Sequence, residues 1–180
     1  MKIICEGPDN SGKTTLAQSL AKNLNLEYRR PPTLSSTEGV NDAVFLWWER
    51  ELFHHEHESA VYDRCTYISD PIYRLVSGKA PLREQSVMMA GVAQVTKQAF
   101  LIFCLPRWEL SKALIEREMA EGGGLQGMDL AHAEVVHWAY FIEYQSWFHR
   151  IPHQVSCWNF ENDNREALQN IIEFRIKEAM

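Results

Sequence analysis

The sequence predicts an α/β fold: a parallel, five-stranded central sheet flanked by helices. Two observations carry that prediction. Short apolar runs of strand character, Lys2 to Glu6, Leu26 to Tyr28, Ala60 to Tyr62, Phe100 to Leu105 and Val155 to Phe160, alternate with longer stretches whose apolar residues recur at helical spacing. Such alternation marks parallel strands joined by crossover helices. The second observation is Gly7-Pro8-Asp9-Asn10-Ser11-Gly12-Lys13-Thr14, which joins the first strand to the first helix and fits the pattern G-x-x-x-x-G-K-[ST]. At 180 residues, 46% of them hydrophobic, the chain suits a single domain, 1–180, with a sizeable core.

Taken in order, Lys2 to Glu6 reads Lys-Ile-Ile-Cys-Glu, a short apolar strand, and the run from Thr15 to Leu24 continues the glycine motif into a helix over 13–24. The glycines between them let the backbone curl so that several N–H groups converge on an anion, with the positive end of the helix behind them. Gly7, Asn10, Ser11, Gly12, Lys13, Thr14 and Thr15 are therefore the candidate phosphate ligands of a nucleotide. Lys13 would reach the β- and γ-phosphates, and the Thr14 hydroxyl would help to hold Mg²⁺. After the strand at 26–28, Arg30-Pro31-Pro32-Thr33-Leu34-Ser35-Ser36 cannot continue inside a sheet, because proline has no N–H to donate. In an open α/β sheet the carboxyl ends of the strands line the ligand crevice, which brings Arg29 and Arg30 near it.

Further helices are expected at 40–57, 70–77, 82–98, 107–120, 129–149 and 164–178, from apolar spacing and from punctuation such as Pro81 and the capping residue Asp129. Ser59-Ala60-Val61-Tyr62-Asp63-Arg64 is a strand that ends in an acid and a base. Beside the first strand, Asp63 would hold a Mg²⁺-bound water beneath the phosphates while Arg64 faced an acceptor. Glu121-Gly122-Gly123-Gly124-Leu125-Gln126-Gly127 separates two helices, and a segment so rich in glycine bends cheaply. The stretch 117–128 is accordingly expected to act as a moving lid. The helix at 129–149 carries Val135, Val136, Trp138, Phe141, Ile142, Trp147 and Phe148 on more than one face, as a core helix does. His54-His55-Glu56-His57-Glu58 reads as a solvated helix end rather than a metal site.

Composition narrows the partners. A net charge of −6 without a long basic block gives no footprint for nucleic acid, whereas an anionic small molecule needs only a local cluster of cations. No apolar run approaches the ~20 residues that cross a bilayer, and the N-terminus enters a strand without a signal-peptide pattern, so no membrane partner and a cytoplasmic location are expected. Cys5, Cys65, Cys104 and Cys157 lie far apart without a C-x-x-C pair and read as reduced core residues.

The order of these motifs resembles the thymidylate kinase family of P-loop nucleoside monophosphate kinases. Gly7 to Thr14 is similar to that family's G-x-D-G-x-G-K-[ST] loop, and Tyr28-Arg29-Arg30-Pro31-Pro32-Thr33 stands where the family has an Arg-Glu-Pro turn. Phe45-Leu46-Trp47-Trp48-Glu49-Arg50 resembles its Leu-Phe-Ala-x-Asp-Arg helix, and Asp63-Arg64-Cys65 its Asp-Arg-Tyr. The likeness in motifs runs from Met1 to about Gly78, and beyond that in pattern only. It implies a three-layer P-loop fold, ATP and Mg²⁺ as cofactors, a nucleotide substrate and a homodimer. It also implies that Asp9 lies near the sugar 3′-hydroxyl, that Arg29 and Arg64 hold the acceptor phosphate, and that Arg50 reads the base with Leu46 at the stacking position. Arg117 would be the lid cation, with no second arginine after it, so that Arg107 or Arg83 is a candidate substitute. Tyr67 and Tyr73, just after the Asp-Arg pair, are candidates for discriminating ribose from deoxyribose.

The acceptor can be argued from chemistry. A nucleoside hydroxyl benefits from a general base, whereas a monophosphate is already largely ionised near neutral pH, with a second pKa of about 6, and wants cations. Deoxynucleoside kinases, a related family, carry a Glu-Pro pair after the second strand, where this chain has Arg29-Arg30-Pro31. A monophosphate acceptor is therefore expected, deoxythymidylate by resemblance. Arg50 can donate to thymine O4 or, equally, fork onto guanine O6 and N7, so that guanine or a modified pyrimidine is the alternative base, and Asp63 remains a possible base for a nucleoside. A nucleotide-binding module without catalysis is the alternative of a different class.

Overall fold

The computed structural model describes residues 1–32, 42–55, 57–80, 82–121, 129–162 and 164–179. Along the chain run β1 (Lys2–Glu6), α1 (Lys13–Asn23), β2 (Glu27–Arg29), α2 (Asp42–Glu49), a π-helical turn (Arg50–His54), β3 (Ala60–Asp63), α3 (Thr66–Val76) and α4 (Gln85–Gln98). They are followed by β4 (Ala99–Cys104), α5 (Trp108–Ala120), α6 (Leu130–Arg150), β5 (Val155–Trp158) after a short 3-10 turn, and α7 (Arg165–Ala179). The five strands form one parallel sheet in the order β2-β3-β1-β4-β5. β1 is central, with Ile3 beside Val61 of β3 and Phe100 of β4. The order reverses at β1, and the crevice at such a reversal is where open α/β sheets bind ligands.

Because side chains alternate along a strand, each face of the sheet builds its own core. Ile4, Tyr62, Leu101 and Phe103 pack with Phe45, Trp48, Tyr140 and Trp147 from the helices of one layer. Ile3, Cys5, Val61, Phe100 and Ile102 pack with Leu16 and Leu20 of α1 and with Leu168 and Ile172 of α7. The result is the three-layer arrangement that the alternating sequence implies. Cys5, Cys65 and Cys104 are buried free thiols, and Cys157 is a half-buried one. Among the described residues, no helix is long and apolar enough to cross a membrane.

The elements differ from expectation where a side chain overrides local propensity. The helix expected over 40–57 is α2 followed by a wider turn, closed by a hydrogen bond from His55 N–H to the Arg50 carbonyl at 3.1 Å. That turn carries Glu51 inward to the Tyr62 hydroxyl and the Arg29 guanidinium, at 2.7 Å and 2.5 Å; π turns of this kind are often found at functional sites. α3 starts at Thr66, four residues before the expected 70, so Pro71 lies inside the helix instead of at its first turn. Its early start is fixed by the Cys65 carbonyl, which accepts from the N–H groups of Ile68 and Ser69 at 2.9 Å each. β5 stops at Trp158, short of Phe160, because the Asn159 side chain takes up the N–H groups of Glu161 and Asn162 at 3.1 Å and 3.0 Å.

Candidate active site

The glycine motif lies at the carboxyl end of β1 and delivers the chain into α1. Gly7 has φ 150°, and a Cβ there would come within 2.5 Å of the Cys104 carbonyl oxygen, so the loop can pass β4 only as glycine. Gly12, at φ 78°, is the residue before α1 and caps it without a side chain. The first-turn N–H groups therefore remain available to an anion. They open into a cleft of about 400 Å³ lined by residues 10–15 on one side and by Leu114, Arg117, Glu118 and Glu121 on the other.

Lys13 is folded back across the loop, donating to the Pro8 carbonyl at 2.9 Å and standing 3.6 Å from Asp9 Oδ1. Burial lowers the pKa of its ammonium, and the charge of Arg64 lowers it further. Thr14 Oγ1 donates to Asp63 Oδ2 at 2.7 Å, and the same oxygen accepts from the Tyr28 hydroxyl at 2.9 Å. Burial and this contact push the Tyr28 phenol up to about 12. A hydroxyl and a carboxylate joined beside a phosphate cradle are the hard oxygen donors Mg²⁺ accepts, and Mg²⁺ takes its remaining ligands from phosphates and water. The residues therefore fit the metal. Among the described residues no group of three or more His, Cys, Asp or Glu could hold a metal ion.

On the other side of Lys13, Arg64 donates to Asp9 Oδ1 at 2.6 Å and lies over the Tyr73 ring, 5.2 Å from its centroid, while the Tyr73 hydroxyl donates to Asp9 Oδ2 at 3.2 Å. Burial would raise the Asp9 carboxyl, but Arg64 and Lys13 outweigh it and hold the group below the usual range. Burial likewise opposes the charge of Arg64, yet its neighbours Tyr73, Tyr140, Asp9 and Glu6 keep it firmly protonated. Arg64 also has φ 80°, an outlier for a bulky side chain that costs roughly 1–3 kcal/mol. Its own N–H, bonded to the Cys5 carbonyl at 2.9 Å, helps to hold it there.

The structure thus brings together Gly7, Asp9, Asn10, Ser11, Gly12, Lys13, Thr14, Thr15, Asp63, Arg64, Tyr73 and, across the cleft, Arg117. Other expectations need correction. Arg29, expected at the acceptor phosphate, is engaged by carboxylates: its guanidinium donates to Glu51 at 2.5 Å and to Glu27 and Glu58 at 2.6 Å each. Arg30 is the neighbouring cation, with Nε 3.9 Å from Asp63. Tyr67, a candidate for reading the sugar, is buried edge-on against Phe45 at 5.5 Å, in a slot that Gly91 leaves for its ring. Leu46 and Arg50 are exposed on α2 and the π turn and take no part in the Asp9–Arg64–Tyr73 contacts. Trp48 belongs to the core, tilted on Tyr62 at 5.1 Å.

Arg117 pairs loosely with Glu121 at 3.9 Å, and Glu118 accepts from Asn10 Nδ2 at 2.6 Å. Arg107 is engaged by Glu161 and Arg83 by Asp42, so neither lines the cleft. The glycine-rich part of the expected lid, 122–128, lies outside the described residues, as do residues 33–36 of the Arg-Pro turn. Sequence reasoning passed over Glu6 and Tyr140, which meet behind the loop at 3.2 Å. The available signal was a charged residue closing an otherwise apolar strand.

No family model and no curated protein matches the chain. Among solved structures it is similar to YorR of Bacillus subtilis, in complex with phosphorylated GDP, at 16% identity and TM-score 0.68 over 98% of this chain and 96% of that one. It is also similar to deoxyadenosine kinase of M. mycoides with dCMP and dCDP bound, at 15% identity and TM-score 0.58 over 100% of both chains. A third is thymidylate kinase of Ehrlichia chaffeensis, at 15% identity and TM-score 0.56 over 98% of both. The chain shares with these structures a three-layer α/β fold, a five-stranded parallel sheet flanked by helices.

Proposed function

We propose that the protein is a kinase that transfers the γ-phosphoryl group of ATP to a deoxynucleoside 5′-monophosphate, with deoxythymidylate favoured by resemblance. The observation that carries this reading is that Lys13 stands near two groups of polar side chains, the Thr14–Asp63 pair beside the open first-turn N–H groups and the Asp9–Arg64–Tyr73 cluster. The loop N–H groups would bind the donor phosphates, and Lys13 would leave the Pro8 carbonyl for the β- and γ-oxygens. Mg²⁺ held through Thr14 and Asp63 would neutralise charge on those oxygens. Arg64, with Arg30 beside Asp63, would hold the acceptor phosphate, whose oxygen attacks the γ-phosphorus as the bond to the β-phosphate oxygen breaks and ADP leaves. Arg117 would meet the transferring group from across the cleft, and closure of 117–128 would exclude water.

The capture of Arg29 removes one cation from the acceptor side and favours a second reading, a deoxynucleoside kinase on the same fold. A coupled assay of ADP release, with ATP and Mg²⁺ against a panel of deoxynucleosides and their 5′-monophosphates, separates them. Turnover on a monophosphate supports the first reading, turnover on free nucleosides alone the second, and ATP binding without turnover a non-catalytic module. The implied homodimer would bury the outer face of α6, where Val135, Trp138, Phe141 and Ile142 are exposed. Antiparallel pairing about Phe141 and Ile142 would set Glu134 of one copy beside His149 and Arg150 of the other; a monomer mass by light scattering would contradict it.

A further inference from the structure

The last residue of β1 is a carboxylate with no exposed surface, and the transfer described above gives it no role. Its two oxygens serve different parts of the site. Oε1 accepts from the backbone N–H of Cys65, the residue after Arg64, while Oε2 accepts from the N–H of Gly7 at 3.3 Å and the hydroxyl of Tyr140 at 3.2 Å. One buried group therefore joins the first residue of the phosphate loop, the strained turn that presents Arg64, and α6. All three contacts are N–H or O–H groups donating to its oxygens, and a glutamine would turn an amide N–H toward Gly7, Cys65 or Tyr140. Burial favours its uncharged form, and Arg64 and Lys13 oppose that, so Glu6 senses both cations of the site.

We propose that Glu6 is a positioning residue that fixes the phosphate loop and Arg64 at the separation in-line phosphoryl transfer requires. The inference rests on the kinase reading. The loop holds the donor and Arg64 the acceptor, so each ligand can stay bound when Glu6 is altered while the distance between them drifts. Reacting atoms must stand about 3–3.5 Å apart, and a misplacement of about 1 Å can cost roughly a hundredfold in rate.

The test is Glu6→Gln, with turnover measured beside ATP affinity by calorimetry. The expected result is a fall in kcat of about tenfold or more with the ATP dissociation constant within about twofold of wild type. A merely structural role would lower both together, and that outcome would overturn the proposal. Tyr140→Phe removes only the hydroxyl donor and should lower kcat by a smaller factor, again with ATP affinity kept. If Glu6→Gln does not fold, Tyr140→Phe decides alone, and an unaltered kcat overturns the proposal. Failure of the wild-type protein to phosphorylate any monophosphate or nucleoside would instead overturn the kinase reading, and the inference with it.

Discussion

Arg64 holds a long charged side chain on a backbone that such residues rarely adopt, and what holds it is local: the Cys5 carbonyl, the Asp9 carboxylate and the Tyr73 ring. Lys13, by contrast, is parked on a carbonyl that a phosphate would replace. Lys13→Ala is expected to lower transfer by roughly 10²–10³-fold while the chain stays folded, as circular dichroism would show; undiminished turnover would sink the phosphate-loop assignment. Asp63→Asn should raise the Mg²⁺ concentration for half-maximal turnover by about tenfold, read from a magnesium titration at saturating nucleotide. Glu6 gives a pH signature. Burial raises its carboxyl from 4.5 to about 7, so the folded chain holds this proton more tightly than the unfolded chain. The stability it lends is complete below about 4.5 and is lost as pH rises through about 7. Thermal melting from about pH 4 to about pH 8 should show that decline in wild type and a flatter profile in Glu6→Gln.

At the scale of elements, the π turn and the Arg29 cluster belong together. Glu51 is buried because Arg29 and Tyr62 meet it, and Arg29 is drawn from the cleft because Glu27 and Glu58 complete its hydrogen bonding. Arg29→Ala is therefore expected to cost about 3 kcal/mol in chemical denaturation, by stranding a buried carboxylate, with little selective effect on the acceptor KM. A selective rise in that KM at full stability would restore Arg29 to the acceptor site. The sequence could not reveal this, because Arg29-Arg30-Pro31 reads as cationic whatever folds against it, and the carboxylates that claim Arg29 include residues 22 and 29 positions away. Tyr67 is a similar case. Its slot exists because Gly91 has no Cβ, which would lie 2.1 Å from the ring, and nothing near Tyr67 in sequence announces a glycine on another helix.

For the whole molecule, strands and helices were legible because each carries its own periodicity and the phosphate motif marks where β1 meets α1. The Thr14–Asp63 pair was legible too, since placing β3 beside β1 is enough to bring its residues together, whereas the Asp9–Arg64 contact was not expected. What stayed hidden depends on long-range packing: the burial of Glu6 under Tyr140 of α6, the early start of α3, and the exposure of Leu46 and Arg50. The sheet sets the outcome, since its central strand ends at the loop and its neighbours end at Asp63 and Cys104. Phosphoryl transfer itself can be watched by ³¹P NMR of the protein with ATP, Mg²⁺ and dTMP. The expected result is growth of the paired resonances of dTDP as the γ-phosphate signal of ATP declines. Loss of the γ-phosphate signal into inorganic phosphate alone, or no change across a panel of monophosphates, would contradict the proposed transfer.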